Sequence, residues 1–422
     1  MIRIGRLVRL SHMSKRPKVR LVEPERRQGV IRFEMPEDTL APTHAARVLW
    51  QVTGTLDLAG FTRDGKAVEG HAGRPAYSPR MLLSLWLYAI SQGVGSAREI
   101  ARLVECDQAY RWLSGEMSVS HHLLSRFRVG HGEVLAQLMT DVLGTLVHKG
   151  LLSLETVAQD GTRIRASASA PSFRSEAALE DCLEQAKLHL KAVLAQADDP
   201  ELSSAQKAAR ETAARDFERR VEEAIRTVKE LTPRGKGKAR ASTTDHEARV
   251  MKMPDGGFRP GYNVQLAVAG SPLGGPRTIV GLRVTNVGSD MSSVGPMIDD
   301  VERRTGSKPW RLLADANHVT LADIEGAAQR DVELIAPVPQ RMRDSTVEHR
   351  GAVATWLAHM QNPEAKRQLR ARASLCELAN AHIKNRFGID RVPVRGTAKV
   401  TCVALLGSIA FNVLQHAAAL LT

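Results

Sequence analysis

The order of apolar and polar positions predicts helices in the first part of the chain. Residues 81–90 form an uninterrupted apolar run after Ser78 and Pro79. Ser is a favourable N-cap and Pro suits the first helical position, so this run predicts a buried helix. Shorter helices follow, and residues 133–149 place their apolar side chains on one face of a longer helix that ends at Gly150. We therefore expect a bundle of helices joined by tight turns.

The second part of the chain predicts short strands that alternate with helices. Residues 154–159 predict a strand that ends at Asp160, and residues 311–314 predict another that ends at Asp315. Residues 264–268 carry apolar side chains at every second position, as in a strand with one buried face. The further predicted elements are strands at 278–285 and 332–336 and helices at 292–304, 321–329 and 376–387. This order is typical of a mixed α/β fold.

A long helical stretch interrupts the α/β pattern. Residues 175–231 are charged and rich in Ala, Leu and Glu, and apolar residues recur at helical spacing in the second half. The sequence Asp-Asp-Pro at 198–200 divides the stretch into two. We predict a helical hairpin inserted into the α/β domain, followed by a flexible basic linker at 232–242. Its apolar seam would pack on the parent domain or on another subunit.

Length and charge add the first indication of function. A chain of 422 residues is long enough for two or three domains. We divide it into a basic, flexible tail at 1–40, an all-α domain of helix-turn-helix-like short helices at 41–150, and an α/β domain at 151–422. The net charge of +13 favours a polyanionic partner such as nucleic acid, although many soluble proteins are basic.

The sequence predicts a cytoplasmic protein with no membrane partner. The four cysteines are Cys106, Cys182, Cys376 and Cys402. They lack zinc-finger spacing, and their scatter is typical of reduced thiols. The apolar run at 81–90 is too short to span a bilayer, and the N-terminus lacks the apolar core of a signal peptide.

Three carboxylates stand at positions typical of a catalytic centre. Asp160 and Asp315 end predicted strands, and the working groups of α/β sheets gather beyond the carboxyl ends of strands. Glu377 lies on a predicted helix, with Lys384 two turns later on the same face. Each aspartate alone could simply cap a turn, and the helix alone could be an ordinary charged surface helix. Three converging carboxylates would repel one another without a cation, so together they predict a metal site.

Two other acidic residues compete with Glu377 for the third position. Glu348 lies in a polar stretch without a regular element to hold it. Glu364 follows Pro363 at a helix start, where a carboxylate complements the helix dipole. On a single helix from 364 to 386, Glu364 and Glu377 would point to roughly opposite faces. Glu377 is therefore the preferred ligand.

The chemistry of the predicted site follows from its ligands. A set of oxygen ligands selects Mg²⁺, for which Mn²⁺ may substitute, over zinc. Two such ions about 4 Å apart would activate a water or a 3′-hydroxyl and stabilise the leaving oxygen of a phosphodiester. Basic residues suited to the phosphates of double-stranded DNA are Lys384, Arg386 and Arg395 near the carboxylates, and Arg111, Arg126 and Arg128 in the helical bundle. The alternative for the bundle arginines is that they only solvate its surface.

Several short motifs occur in a fixed order between residues 70 and 415. They are GRPAYSPR at 73–80, YRWL at 110–113, SRFR at 125–128, QDGT at 159–162, GYNVQ at 261–265, LADA at 313–316, the spacing from Glu377 to Lys384, and VRG at 394–396. With these motifs the chain resembles bacterial insertion-sequence DDE transposases, close to the group numbered eleven-eighty-two and related to the insertion-sequence four/five superfamily.

The resemblance implies both a fold and an activity. The fold is a ribonuclease-H-like mixed sheet with flanking helices, in which Asp160, Asp315 and Glu377 hold two Mg²⁺ ions. Lys384 is implied to contact DNA near the cleaved phosphate. The activity is binding of the terminal inverted repeats, followed by strand cleavage and transfer into target DNA. We expect a homodimer when the protein is assembled on DNA, and we expect residues 1–130 to provide most of the specific DNA affinity.

The chain departs from the family pattern at positions near the proposed ligands. Where the family often has Tyr and Arg seven and four residues before its Glu, this chain has Arg370 and Ala373, with Arg372 beside the second position. Asn317 and His318 follow where the family often has Gly or Asn and then Tyr. These changes leave the three carboxylates intact and concern the neighbouring DNA contacts.

Two alternative functions remain open. One is a catalytically inactive DNA-binding protein derived from a transposase, against which the three carboxylates argue. The other is a ribonuclease-H-like nuclease that does not transpose. The basic N-terminal region argues against the nuclease, which would need less sequence-specific binding.

Overall fold

A mixed β-sheet organises the second half of the chain. The structure, a computed structural model, describes residues 33–63, 75–196, 202–232, 239–271, 273–344 and 348–421. The strands of the described residues are β1 (Thr156–Arg165), β2 (Phe173–Arg174), β3 (Ala241–Ser242), β4 (Arg249–Lys252), β5 (Phe258–Ser271), β6 (Gly274–Thr285), β7 (Arg311–Leu313) and β8 (Glu333–Ile335). The predicted mixed α/β fold is confirmed. Residues 1–32 of the predicted tail and most of the basic linker lie outside the described residues, whereas Pro36–Thr39 at the end of that tail form a short 3-10 helix.

Strand β1 is the centre of the sheet. β5 pairs antiparallel along one side of β1, and β7 pairs parallel along the other. β8 continues the sheet parallel to β7. On the far edge of β5, β4 and β6 pair antiparallel with successive parts of that long strand. The sheet therefore has β1 at its centre. The parallel strands β7 and β8 lie on one side, and the antiparallel pairs that β5 forms lie on the other.

Helices account for most of the remaining described chain. The helices before the sheet are α1 (Ala45–Thr55), α2 (Pro79–Ser91), α3 (Ala97–Cys106), α4 (Gln108–Ser114), α5 (His121–Gly130) and α6 (Gly132–His148). The later helices are α7 (Glu176–Ala195), α8 (Ser204–Leu231), α9 (Val294–Thr305), α10 (Leu321–Gln329), α11 (Gln340–Arg343), α12 (Gly351–His359), α13 (Pro363–Ala381), α14 (Thr397–Gln415) and α15 (Ala417–Leu420).

Helix α14 joins the N-terminal helices to the sheet. It packs against α2, α5 and α6 and also against β6. Every residue from 402 to 413 is buried, and the side chain of Asn412 bonds both backbone groups of Ile279 in β6, at 2.8 and 2.9 Å. The structure therefore unites the two domains predicted at 41–150 and 151–422 in one apolar core. By length and composition α14 could cross a membrane, but most of it is buried inside the fold.

A close contact between two glycines adds a second link between these parts. Gly93 follows α2, and Gly388 follows α13 and the helical turn that continues it. Both glycines have positive φ. A Cβ added to Gly388 would lie 2.8 Å from the carbonyl oxygen of Gly93. Only a residue without a side chain fits this approach.

The stretch predicted as an inserted hairpin contains α7 and α8, which pack against each other. Ser203 begins α8 with a capping box that includes Gln206. Leu179, Val221 and Val228 belong to a small apolar cluster separate from the main core. At its base, β2 and β3 pair antiparallel and hold the two ends of the excursion together.

Candidate active site

Asp160 and Asp315 lie side by side on neighbouring parallel strands. Ala158 of β1 is paired with Leu313 of β7, and the same register carried two residues further places Asp160 beside Asp315. The strand predicted at 154–159 extends past Asp160 to Arg165, where it pairs with β5 alone. Asp315 follows β7 after Ala314 and caps a short 3-10 turn, accepting the N–H of Ala316 at 2.7 Å.

Helix α13 holds the carboxylate of Asp160. Its Oδ2 accepts a hydrogen bond from Nδ2 of Asn380 at 2.9 Å, and its Oδ1 lies 3.6 Å from the guanidinium of Arg372. Oδ1 also accepts the N–H of Gly161 at 3.0 Å. Burial raises the pKa of Asp160 and the negative charge of Asp315 adds to this, whereas Arg372 acts in the opposite direction. Arg372 is thus a neighbour of the predicted metal ligand Asp160. It lies beside Ala373, one of the positions where the chain departs from the family pattern.

Glu377 does not join the two aspartates in this structure. It lies on the exposed side of α13, one turn before Asn380. Among the described residues, no three His, Cys, Asp or Glu side chains lie close enough to form a metal cluster. Of the competing acidic residues, Glu364 pairs with Arg367 in the first turn of α13, and Glu348 is almost fully exposed.

The C-terminal end of α13 is not the regular α-helix that the sequence predicts at 376–387. Residues His382–Arg386 form a π-helical turn, closed by a bond of 2.7 Å from the N–H of Phe387 to the carbonyl of His382. A π turn contains more residues than an α turn, so Lys384 is rotated away from the face that an unbroken α-helix would share with Glu377. Lys384 is half-buried, whereas Arg386 and Arg395 are exposed.

The three bundle arginines have different surroundings. Arg128 is buried, lies 4.8 Å over the ring of Trp86 and donates to the carbonyl of Gly95 at 2.6 Å. Burial lowers its pKa to about 10. Its predicted contact with DNA is therefore corrected to a contact inside the core. Arg126 is exposed, and Arg111 is exposed and paired with Glu116.

A buried polar network covers the opposite face of β1. Asp290, which precedes α9, accepts hydrogen bonds from Asn263 and Gln265 of β5, both at 2.6 Å, and pairs with Arg163 of β1 at 3.1 Å. Nε2 of His318 lies 3.1 Å from Oε1 of Gln265, the oxygen of the side-chain amide, and the two atoms share a hydrogen bond. Since successive residues of a strand point to opposite faces, this network lies behind Asp160.

The network gives physical reasons for two motifs. A Cβ on Gly161 would lie 2.3 Å from Nε2 of Gln265 and 2.6 Å from Oδ1 of Asp290, so the residue after Asp160 must be glycine. In the motif at 261–265, Asn263 and Gln265 supply the amide donors to Asp290. The sequence signals for these contacts are amides at every second position of a strand, which periodicity alone does not distinguish from surface residues.

His318 connects the network to the loop that holds Asp315. It is 1% exposed, and its Nδ1 has no hydrogen-bond partner among the described residues. Burial lowers the pKa of His318, against the opposing effect of nearby carboxylates. The contact of the His318 ring with the side chain of Gln265 thus ties the turn after Asp315 to β5.

Comparison with known families identifies two separate matches. The Transposase domain (DUF772) matches residues 37–130, which include α1 to α5. The Transposase DDE domain matches residues 338–417, which include α13 and α14 and therefore Glu377. No curated protein and no solved structure matches the chain significantly. Neither family description identifies the particular group that the motifs resemble. The two matched domains meet in one core, and together they support an insertion-sequence transposase that acts on DNA.

Proposed function

We propose that this protein binds the terminal inverted repeats of an insertion sequence and cuts and joins DNA strands with divalent metal ions. The observation that carries the proposal is the parallel register of β1 and β7, which brings Asp160 and Asp315 close enough to interact electrostatically, beside a helix of the matched DDE domain. The strand order, with β1 between its parallel neighbour β7 and its antiparallel neighbour β5, supports a ribonuclease-H-like sheet.

The residues present fit a hard divalent cation. Asp160 and Asp315 offer carboxylate oxygens, and Oδ1 of Asn380 is a buried amide oxygen without a hydrogen-bond partner among the described residues. Oxygen donors of this kind suit Mg²⁺ or Mn²⁺. When bound, the ions supply Lewis-acid activation of a water or a 3′-hydroxyl and charge neutralisation at the phosphodiester.

Glu377 remains the proposed third carboxylate ligand. Residues three apart on a helix have Cβ atoms about 5–6 Å apart, and Asn380 touches Asp160. The carboxylate of Glu377 thus begins one turn from the site. Its separation from the aspartates is also the observation that favours the alternative, a DNA-binding protein without catalysis.

The chain's own groups would position DNA around this centre. Arg386 and Arg395 are exposed after α13 and would contact phosphates, with Lys384 next to them on the π turn. In the N-terminal matched domain, Arg111 and Arg126 are the exposed predicted contacts. We propose that these helices bind the terminal repeats as a homodimer, while target DNA is held at the sheet.

The test is cleavage of DNA that carries the element ends. We expect Glu377→Gln to abolish strand cleavage and to leave binding of the ends within a few-fold, because the amide removes a metal ligand and keeps the shape. Glu364→Gln is the matched control on the same helix and should cleave normally. Normal cleavage by Glu377→Gln, or loss in Glu364→Gln instead, would identify the wrong carboxylate. A wild-type protein that binds the ends in Mg²⁺ and never cuts would favour the inactive alternative.

A further inference from the structure

We propose that Asn380 is itself a metal ligand, binding through Oδ1 the same cation as Asp160. This inference rests on the proposed metal site at Asp160 and Asp315. In the structure the amide nitrogen of Asn380 faces Asp160, so binding requires the amide to turn over by half a rotation.

The spacing of the two side chains matches a coordination site. Nδ2 of Asn380 lies 2.9 Å from Oδ2 of Asp160. Turning the amide exchanges its nitrogen and oxygen, and Oδ1 then occupies the nearer position. Two neighbouring ligands of octahedral Mg²⁺, each about 2.1 Å from the ion, lie about 3 Å from each other. The observed separation is therefore that of two adjacent corners of a magnesium site.

In the observed orientation Oδ1 of Asn380 faces away from Asp160 and lacks a partner in the described part of the chain, and turning the amide toward a cation would give it one. Oδ1 of Asn380 is buried and accepts no hydrogen bond among the described residues. Native proteins rarely leave a buried acceptor unsatisfied without a ligand, a water or a functional reason. Two oxygens that face each other repel, so without a cation the amide presents its N–H to Asp160. With a cation between them, both oxygens are stabilised.

The helix keeps Asn380 in place for this role. Its neighbours Ala379 and Ile383 are buried in the main core, and Cys376, one turn earlier, is buried as well. Arg372 approaches Asp160 on Oδ1, the other carboxylate oxygen. The side of Asp160 that faces Asn380 is therefore the side without a competing positive charge in the described structure.

A simpler role for Asn380 would be to orient Asp160 through its N–H. The two roles differ in what a carboxylate at this position does. A ligand role tolerates Asn380→Asp, which keeps an oxygen donor and adds charge. A donor role does not tolerate it, because two carboxylates would then repel and Asp160 would lose its hydrogen bond.

The experiment measures Mn²⁺ affinity of the full chain without DNA, by electron paramagnetic resonance of the free ion. We expect Asn380→Ala to weaken Mn²⁺ binding by about tenfold or more, a loss that removal of a hydrogen-bond donor to Asp160 would also cause, so Asn380→Asp is the variant that separates the two roles. Asn380→Asp should bind at least as tightly as wild type, and its melting temperature should rise more on adding Mn²⁺. Circular dichroism in chelator establishes that each variant is folded, and if Asn380→Ala is not, the Asn380→Asp affinity decides.

Two results would overturn the inference. One is wild-type affinity in folded Asn380→Ala. The other is a loss in Asn380→Asp as large as that in Asn380→Ala, which would show that Asn380 acts only as a donor. Asp160→Asn separates this from the proposed function. If Asp160→Asn leaves Mn²⁺ binding unchanged, the metal site itself is wrong and the inference fails with it; if Asp160→Asn loses binding while Asn380→Ala does not, only the inference fails.

Discussion

Replacing Gly161 by alanine tests the network behind the catalytic strand. The added methyl group would lie 2.3 Å from Nε2 of Gln265, 2.6 Å from Oδ1 of Asp290 and 3.1 Å from Oδ1 of Asn263. Nε2 of Gln265 donates to both oxygens, and Asn263 donates to Asp290 through its own amide nitrogen, so none of the three side chains can withdraw without breaking a hydrogen bond. The φ of Gly161 is outside the left-handed region, so the effect is steric and not one of backbone strain.

The size of the effect follows from the contacts that are lost. Moving Gln265 away removes its bond to the carboxylate of Asp290, and hydrogen bonds to charged groups contribute about 1.5–3 kcal/mol. Overpacking a buried site costs about 1–3 kcal/mol. The overpacking is relieved when Gln265 moves and its hydrogen bond breaks, so the two costs do not add in full. We therefore expect Gly161→Ala to lower the free energy of unfolding by roughly 2–4 kcal/mol. The shift would reach His318 through its bond to Gln265, so DNA cleavage should fall as well.

The control is the same substitution elsewhere in the chain. Gly144 lies on the exposed side of α6, and a Cβ there meets nothing within 4 Å. Alanine inside a helix is more favourable than glycine by about 1 kcal/mol, so Gly144→Ala should stabilise. Urea unfolding followed by circular dichroism measures both. If Gly161→Ala is as stable as wild type, or if the two variants shift in the same direction, the steric reasoning is refuted.

Two further predictions concern stability and DNA binding. The hydroxyl of Tyr262 donates to both carboxylate oxygens of buried Asp245, so Tyr262→Phe should lower the free energy of unfolding by about 2–3 kcal/mol. Tyr110→Phe should be nearly neutral, because the buried hydroxyl of Tyr110 has no partner among the described residues. Equal effects of the two variants in urea unfolding would contradict this prediction. Arg126→Ala should weaken binding of the element ends and flatten its salt dependence, while Arg128→Ala should act mainly by lowering stability, and a titration over salt concentration separates the two.

The central strands could be predicted because their signal is local. Asp160 and Asp315 each follow an apolar run, and their meeting required only that the two strands be neighbours. The partners of Asp160 could not be predicted, because Asn380 comes from a helix 220 residues later and only the packing of α13 decides which of its side chains faces the sheet. Sequence spacing singled out Glu377 on this helix but not Asn380, the residue that contacts Asp160, because spacing does not distinguish the buried side of a charged helix from its exposed side.

The arginines show a second limit of sequence reasoning. Arg126 and Arg128 occur in one short motif, yet one is exposed and the other stacks on Trp86 in the core. A charged side chain is expected on the surface, and burial is possible here because the aromatic ring and a carbonyl take the place of water. The π turn at His382–Arg386 was equally unpredictable, since no residue type specifies it.

Helix α14 has a consequence for how such a protein could be regulated. The helices of the N-terminal matched domain pack on α14, which comes far later in the chain. A product that stops early, through a frameshift or a stop codon, would carry the DNA-contacting arginines but expose the apolar faces of α2 and α6. We expect such fragments to be degraded and not to compete for the element ends, which limited proteolysis of residues 1–150 would test. The contact with α14 therefore predicts that a truncated product would compete poorly with the full chain.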